Sequence, residues 1–106
     1  MPKFMIRGTY SQDGLKGVLT DGGSARVDAV RKTAESLGGH LDSFYFAFGD
    51  DDTYVVCDLP DNNAAAALAL TVGASGGATT KTTVLLTPEE VDRATKAKID
   101  YHAPGR

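Results

Sequence analysis

The chain has 106 residues, of which 42% are hydrophobic and 24% charged, and it contains no tryptophan. This length suits a single domain spanning residues 1–106, and the composition excludes wholesale disorder. Eleven Lys and Arg residues against 14 Asp and Glu residues give a net charge of −3. Because the basic residues are scattered and form no basic stripe, the sequence argues against a nucleic-acid partner.

The cysteine content and the hydropathy pattern bear on the compartment. Cys57 is the only cysteine, so it can form neither a disulfide within the chain nor a thiolate metal site, which indicates a reducing compartment. The sequence contains no N-terminal targeting signal and no apolar run approaching about 18 residues. We therefore expect a cytoplasmic protein with no membrane partner.

The first part of the chain predicts a strand, a weak helical turn and an amphipathic helix. Apolar residues alternate along Lys3–Tyr10, as they do in a strand. Ser11 can cap a helical turn that two nearby glycines weaken. After a further pair of glycines, the cap residue Ser24 and apolar residues at helical spacing predict a helix that ends at Gly38-Gly39.

Two apolar runs on either side of Gly49–Asp52 predict a β-hairpin, because glycine and aspartate favour tight turns. We expect Phe48 to pair with Thr53. One face of this hairpin then carries Phe44, Phe46, Phe48 and Cys57. The opposite face carries Tyr45, Tyr54 and Val56.

The remaining segments predict a helix, a strand and a short final helix. Asp61 or Asn62 can cap an Ala-rich helix, which a glycine pair terminates. The β-branched residues of Thr79–Leu86 are typical of a strand. Thr87 is followed by a proline and two glutamates, which predicts a capped C-terminal helix.

The resulting order, β-α-β-β-α-β followed by a short C-terminal helix, is the ferredoxin-like pattern of an α+β protein. Right-handed crossovers place both helices on one face of a four-stranded antiparallel sheet. The opposite face is expected to carry apolar side chains: Met5, Tyr45, Ala47, Tyr54, Val56, Val84 and Leu86. Because a large contiguous apolar patch usually marks an interface, we expect two copies to pack sheet to sheet, as a homodimer or higher homo-oligomer.

Three segments resemble the GYD-domain family: KFMIRGTY, FYFAFGDDDTYVVCDLPD and TTVLLTPEEVD. The resemblance covers nearly the whole chain and is most specific in the hairpin and the following Leu59-Pro60-Asp61. The chain departs from the family signature at Asp51, where the family often has tyrosine. The resemblance implies a dimeric α/β barrel of ferredoxin-like type. It implies no established reaction and no cofactor, and we predict no cofactor.

Few residues have the spacing that catalysis or metal binding requires. His40 and Asp42 share a face at strand spacing, but no nucleophile accompanies them, so we assign no catalytic residue. We interpret Asp50–Asp52 as a solvated turn, since a calcium loop spreads its ligands over about 12 positions. We interpret Cys57 as a small core residue. No set of residues has the pattern of a metal site.

A cavity between sheet and helices, or at the dimer seam, is the candidate ligand site. Its candidate residues are Arg7, Tyr10, His40, Tyr45 and Tyr54. The tyrosines would orient a small apolar molecule, and Arg7 would hold a carboxylate or an enolate. In the alternative, Tyr45 and Tyr54 anchor the interface and Arg7 pairs with an acid across it.

Two classes of function stay open. The first is a self-associating cytoplasmic protein that binds a small molecule or a protein partner. The second, by fold analogy, is a cofactor-independent monooxygenase, isomerase or cyclase that acts on a small aromatic or polyketide-like compound. An enclosed cavity lined by Tyr10, His40 or Arg7 would favour the enzyme, and a filled interior would count against it.

Overall fold

The computed structural model describes residues 1–106 and has the element order β-α-α-β-β-α-β-α. The strands are β1 (Lys3–Tyr10), β2 (His40–Phe46), β3 (Thr53–Asp58) and β4 (Ala78–Leu85). The helices are α1 (Gln12–Asp21), α2 (Gly23–Ser36), α3 (Asn62–Ser75) and α4 (Pro88–Ala94). The strands form one antiparallel sheet in the order β2-β3-β1-β4. The predicted α+β, ferredoxin-like fold is therefore confirmed.

The first helix is longer than the sequence predicts. Ser11 caps α1 as expected, because its hydroxyl accepts a hydrogen bond from the Gly14 amide at 3.1 Å. The Ser11 amide donates to the Gly77 carbonyl at 2.9 Å, which fixes the start of α1 against the end of α3. A methyl group on Gly14 would overlap that same carbonyl. This glycine therefore permits a close approach of two backbones, and the helix continues through it.

The hairpin register differs by two residues from the predicted one. Phe46 lies opposite Thr53, so Phe48 falls beyond the strand, where it is 79% exposed. The loop causes this difference. The Ala47 amide donates a hydrogen bond to the Asp52 carbonyl at 2.7 Å, so the pairing of β2 with β3 ends before Phe48. The Asp52 amide in turn donates to the Gly8 carbonyl at 2.7 Å, which ties the loop to β1.

The core lies between the sheet and the helices, with α2 over β2 and α3 beside β4. Its buried members are Phe4, Ile6, Val55, Cys57, Leu59, Ala65 and Leu68. The interpretation of Cys57 as a core residue is confirmed, because it is buried within this cluster.

The other side of the sheet, which we call the open face, carries no helix. From the alternation and register, its main side chains are Lys3, Met5, Arg7, Thr9, Ser43, Tyr45, Tyr54, Val56, Asp58, Lys81, Thr83 and Leu85. The prediction was wrong for Val84, which pairs with Phe4 and shares its face, and Leu85 takes the place on the open face. Ala47 and Leu86 lie beyond the ends of their strands.

Residues 86–106, here called the C-terminal arm, add little to the core. Helix α4 is well capped by Thr87 and Glu90, which form a reciprocal capping box as predicted, but it buries no residue. The arm exposes Leu86, Val91, Ile99 and Tyr101. The radius of gyration is 16.9 Å, against about 13 Å for a compact domain of this length, and the long dimension is 57 Å. The arm therefore extends the molecule beyond its packed body.

Candidate functional site

A cavity of about 70 Å³ lies between the sheet and helices α2 and α3, and we call it the helix-side cavity. Its apolar walls include Ile6 and Val55 from the sheet, Val30 and Ala34 from α2, and Leu68 and Val72 from α3. Part of its floor is Gly8, where a methyl group would come within 2.7 Å of the Thr53 hydroxyl oxygen. A side chain at this position would therefore collide with Thr53.

Four residues bring polar atoms to the wall of this cavity: Tyr10, Arg26, Thr53 and Thr80. Arg26 lies in the first turn of α2 and shares a helix face with Val30 and Ala34, at intervals of four residues. That spacing turns its side chain toward the sheet. Its Nε atom is buried and has no hydrogen-bond partner.

A second opening of about 210 Å³, here called the outer cleft, adjoins the helix-side cavity. The residues that line both are Tyr10, Arg26, Val72 and Ala78. The outer cleft is more polar, because Asp21, Ser75 and two glycines of α1 also line it. An apolar interior thus opens into a polar mouth, with Arg26 at the junction.

At one end of the open face, two cations lie close to a buried carboxylate. The side chain of Asp51 is only 3% exposed, and it lies 3.3 Å from Lys81 Nζ and 3.8 Å from an Arg7 guanidinium nitrogen. It also accepts a hydrogen bond from the Thr9 hydroxyl at 3.2 Å. The interpretation of these aspartates as a solvated turn was therefore wrong for Asp51, because the loop folds back onto β1.

Asp52 also has a structural role. Its carboxylate accepts a hydrogen bond at 2.9 Å from the backbone amide of Tyr10. This carboxylate supplies the acceptor for the Tyr10 amide, because β3 begins at Thr53 and does not extend far enough along β1 to provide one. Both residues thus bind the hairpin loop to the end of β1.

The opposite end of the open face carries an excess of acid. Lys3 donates hydrogen bonds to Asp58, at 2.9 Å, and to Asp42, and these two carboxylates raise the pKa of the Lys3 ammonium. Asp42 reaches Lys3 because a β-bulge between Leu41 and Ser43 interrupts the ladder. The Asp42 carboxylate therefore binds Lys3 and makes no hydrogen bond with His40.

The five predicted pocket residues do not lie in one site. Arg7, Tyr45 and Tyr54 stand on the open face, where Tyr45 is paired across the strands with Tyr54. Tyr10 faces the other way, into the helix-side cavity. His40 is exposed at the far end of β2, opposite Asp58. No cluster of three or more metal-ligating side chains occurs in the structure.

Sequence reasoning missed Arg26, although a signal was present. The residue precedes Val30 and Ala34 by four and eight positions and so extends the apolar stripe of α2. A cation within such a stripe either extends its head to solvent or meets a partner inside. Only the fold reveals that its Nε atom is buried beside a cavity.

The Cys57 thiol is buried in the wall of the helix-side cavity, and desolvation, with smaller effects from Asp58 and Asp42, raises its pKa to about 11. We expect no reaction of native protein with an aromatic disulfide reagent at neutral pH, and one thiol to react after denaturation. Because 11 lies above the ordinary value of 9.0, the free energy of unfolding should fall by about 2 kcal/mol between pH 9 and pH 11.

Cys57→Ala provides the control for this prediction. Urea unfolding across that pH range should show the fall in the parent protein and a shallower one in the variant. Rapid labelling of the folded protein, or equal pH slopes for the two proteins, would contradict the assignment of a neutral core thiol.

Together these features define a small α+β protein with a ferredoxin-like sheet, one open sheet face and an apolar cavity beneath its helices. The family model for the GYD domain matches residues 4–95. The chain therefore belongs to the GYD family. No curated protein and no solved structure matches it. None of its four helices combines the length and the apolar character needed to cross a lipid bilayer.

Proposed function

We propose that the protein is a homodimer that binds a small, largely apolar molecule in the helix-side cavity of each subunit. The observation that carries the binding role is the cavity itself, which has apolar walls, a few polar groups and an opening into the outer cleft. Binding sites for small molecules commonly have this composition. The cavity lies on the side of the sheet away from the open face, so dimerisation through that face leaves it accessible.

The groups that line the helix-side cavity favour binding over catalysis. No carboxylate and no imidazole lies in its wall, so it lacks the usual general bases. The thiol of Cys57 is a poor nucleophile, because a pKa of about 11 keeps it protonated at neutral pH. Tyr10 does line the cavity, and its hydroxyl is the feature that keeps an enzymatic role as the second candidate.

The side chains of the open face support self-association. Tyr45 is 71% exposed, and it lies in a largely apolar strip with Tyr54, Val56 and Met5. Tyrosine is enriched in protein interfaces, where the ring is buried while the hydroxyl keeps a partner. A second copy of this chain would cover the strip with an equivalent strip.

The charges at the two ends of the open face favour one orientation of that second copy. Arg7 and Lys81 surround the single carboxylate of Asp51, whereas Lys3 lies between Asp42 and Asp58. Among these ion-paired side chains, one end therefore has one cation in excess and the other has one carboxylate in excess. A two-fold axis that lies between the sheets and crosses the strands brings opposite ends together, and complementary charge fixes the register of such interfaces.

The C-terminal arm supplies a second reason for association. Its apolar side chains, among them Ile99 and Tyr101, are exposed and have no core of their own. Packing of the arm against the partner's body would remove them from water, which is the dominant favourable term in association. We place this dimer in the cytoplasm, a location supported by the free thiol of Cys57.

A neutral aromatic amide, phenylacetamide, tests the cavity as a binding site. Amide resonances of residues that line the cavity, such as Val30 and Val72, should shift in a saturable manner in two-dimensional NMR. Val72→Phe should weaken this binding at least about tenfold, because the new ring occupies the space. Leu70→Phe is the matched control, since Leu70 lies on the same helix with its side chain exposed.

Equal binding by the two variants, or shifts confined to other surfaces, would contradict the proposal. A melting temperature for Val72→Phe close to that of the parent protein would show that lost binding does not reflect unfolding. The oligomeric state is tested separately in the Discussion.

A further inference from the structure

We infer that the helix-side cavity is specific for apolar molecules that carry a carboxylate, and that Arg26 binds this group. The inference rests on the proposed function and adds the chemical class of the ligand. It draws on the burial of Arg26, on its lack of a partner, and on its position between two cavities of different polarity.

Arg26 differs from every other cation of the chain. Three cations are half-buried, namely Lys3, Arg7 and Arg26, and the remaining Lys and Arg residues are exposed. Lys3 binds two carboxylates, and Arg7 lies 3.8 Å from Asp51. Arg26 alone among the three forms no ion pair, and its Nε atom, like that of Arg7, is buried without a hydrogen bond. Because buried polar nitrogens nearly always have a hydrogen-bond partner, a ligand from outside the chain would complete this site.

The local charges around Arg26 do not neutralise it. Asp21 lines the outer cleft, but it forms no ion pair with Arg26 in this structure. The first turn of α2 contains no acidic residue, and its N-cap, Gly22, provides no side-chain hydrogen bond. A positive side chain there adds to the positive end of the helix dipole. Arg26 is therefore an unpaired positive group at the junction between the two cavities.

The polarity of the two cavities indicates what the remainder of the ligand should be. The inner cavity has apolar walls and suits a ring or a short hydrocarbon, whereas the polar outer cleft suits a charged group that keeps contact with water. A planar guanidinium can donate two parallel hydrogen bonds to a carboxylate. One unpaired guanidinium matches one negative charge, which favours a monocarboxylate.

A comparison of phenylacetate with phenylacetamide isolates the charge, because the two molecules have nearly the same size and shape. In NMR titrations at equal ionic strength, the parent protein should bind phenylacetate at least about tenfold more tightly than the amide. Arg26→Met should abolish this preference, because it removes the positive charge. Arg26→Lys should keep part of the preference, since it retains the charge without the planar fork.

Arg31→Met is the matched control. Arg31 lies on the exposed side of the same helix, 2.7 Å from Asp28, and its loss should leave the preference for phenylacetate unchanged. Binding of both probes with equal affinity by the parent protein and by Arg26→Met would overturn the role of Arg26 and leave the proposed function standing. Failure of both probes to shift any cavity resonance would overturn both the role of Arg26 and the proposed function.

Discussion

Replacing Gly39 by alanine is expected to lower the free energy of unfolding by about 3 kcal/mol or more. Gly39 is buried between the end of α2 and the start of β2. A methyl group there would overlap the carbonyl oxygen of Asp58 and would lie 3.0 Å from Leu59, a core side chain that is fully buried. The backbone cannot move away easily, because the Gly39 amide donates to the Ala34 carbonyl at 2.8 Å.

Gly49→Ala is the control for this substitution. No heavy atom lies within 4 Å of a methyl group built on Gly49, and its φ is not positive. Its effect on the free energy of unfolding should stay within about 0.5 kcal/mol. Urea unfolding followed by circular dichroism measures both variants. Equal midpoints for the two would show that the contact between Gly39 and β3 is looser than the structure has it.

The strands and the two main helices follow from local sequence patterns, and so does the fold. β1 was predicted with its observed limits, because apolar residues alternate from Phe4 to Tyr10 and a capping serine follows. The cap at Thr87 was equally clear from its proline and glutamates. Such features depend on neighbours in the chain, and a sequence displays those directly.

The misplaced features depend on contacts between distant parts of the chain. The hairpin register differs from the predicted one because β1 holds the loop, through the hydrogen bond from the Asp52 amide to the Gly8 carbonyl. The glycines of α1 were interpreted as weakening a short helical turn, whereas Gly14 is required for contact with Gly77, more than sixty residues away. The candidate site shows the same limit. Tyr10, one of the predicted pocket residues, lines the helix-side cavity, but nothing local to Arg26 indicates that its Nε atom is buried.

Replacing Tyr45 by aspartate is expected to raise the dissociation constant of the proposed dimer by about three orders of magnitude. The reason is that a two-fold interface contains each substitution twice, and each unpaired charge that is buried costs several kcal/mol. The monomer should tolerate the change, because Tyr45 is 71% exposed within one subunit. The parent protein at micromolar concentration should sediment with twice the 11.1 kDa mass of a single chain, and the variant with that of one chain.

Leu19→Asp separates loss of the interface from a general effect of added charge. Leu19 is 86% exposed on α1, which lies away from the open face, so this variant should remain dimeric. A monomeric parent protein would overturn the proposed dimer without affecting the cavity, since the residues that line the cavity all come from one chain. Dissociation by Leu19→Asp with no effect of Tyr45→Asp would move the interface from the sheet to the helices.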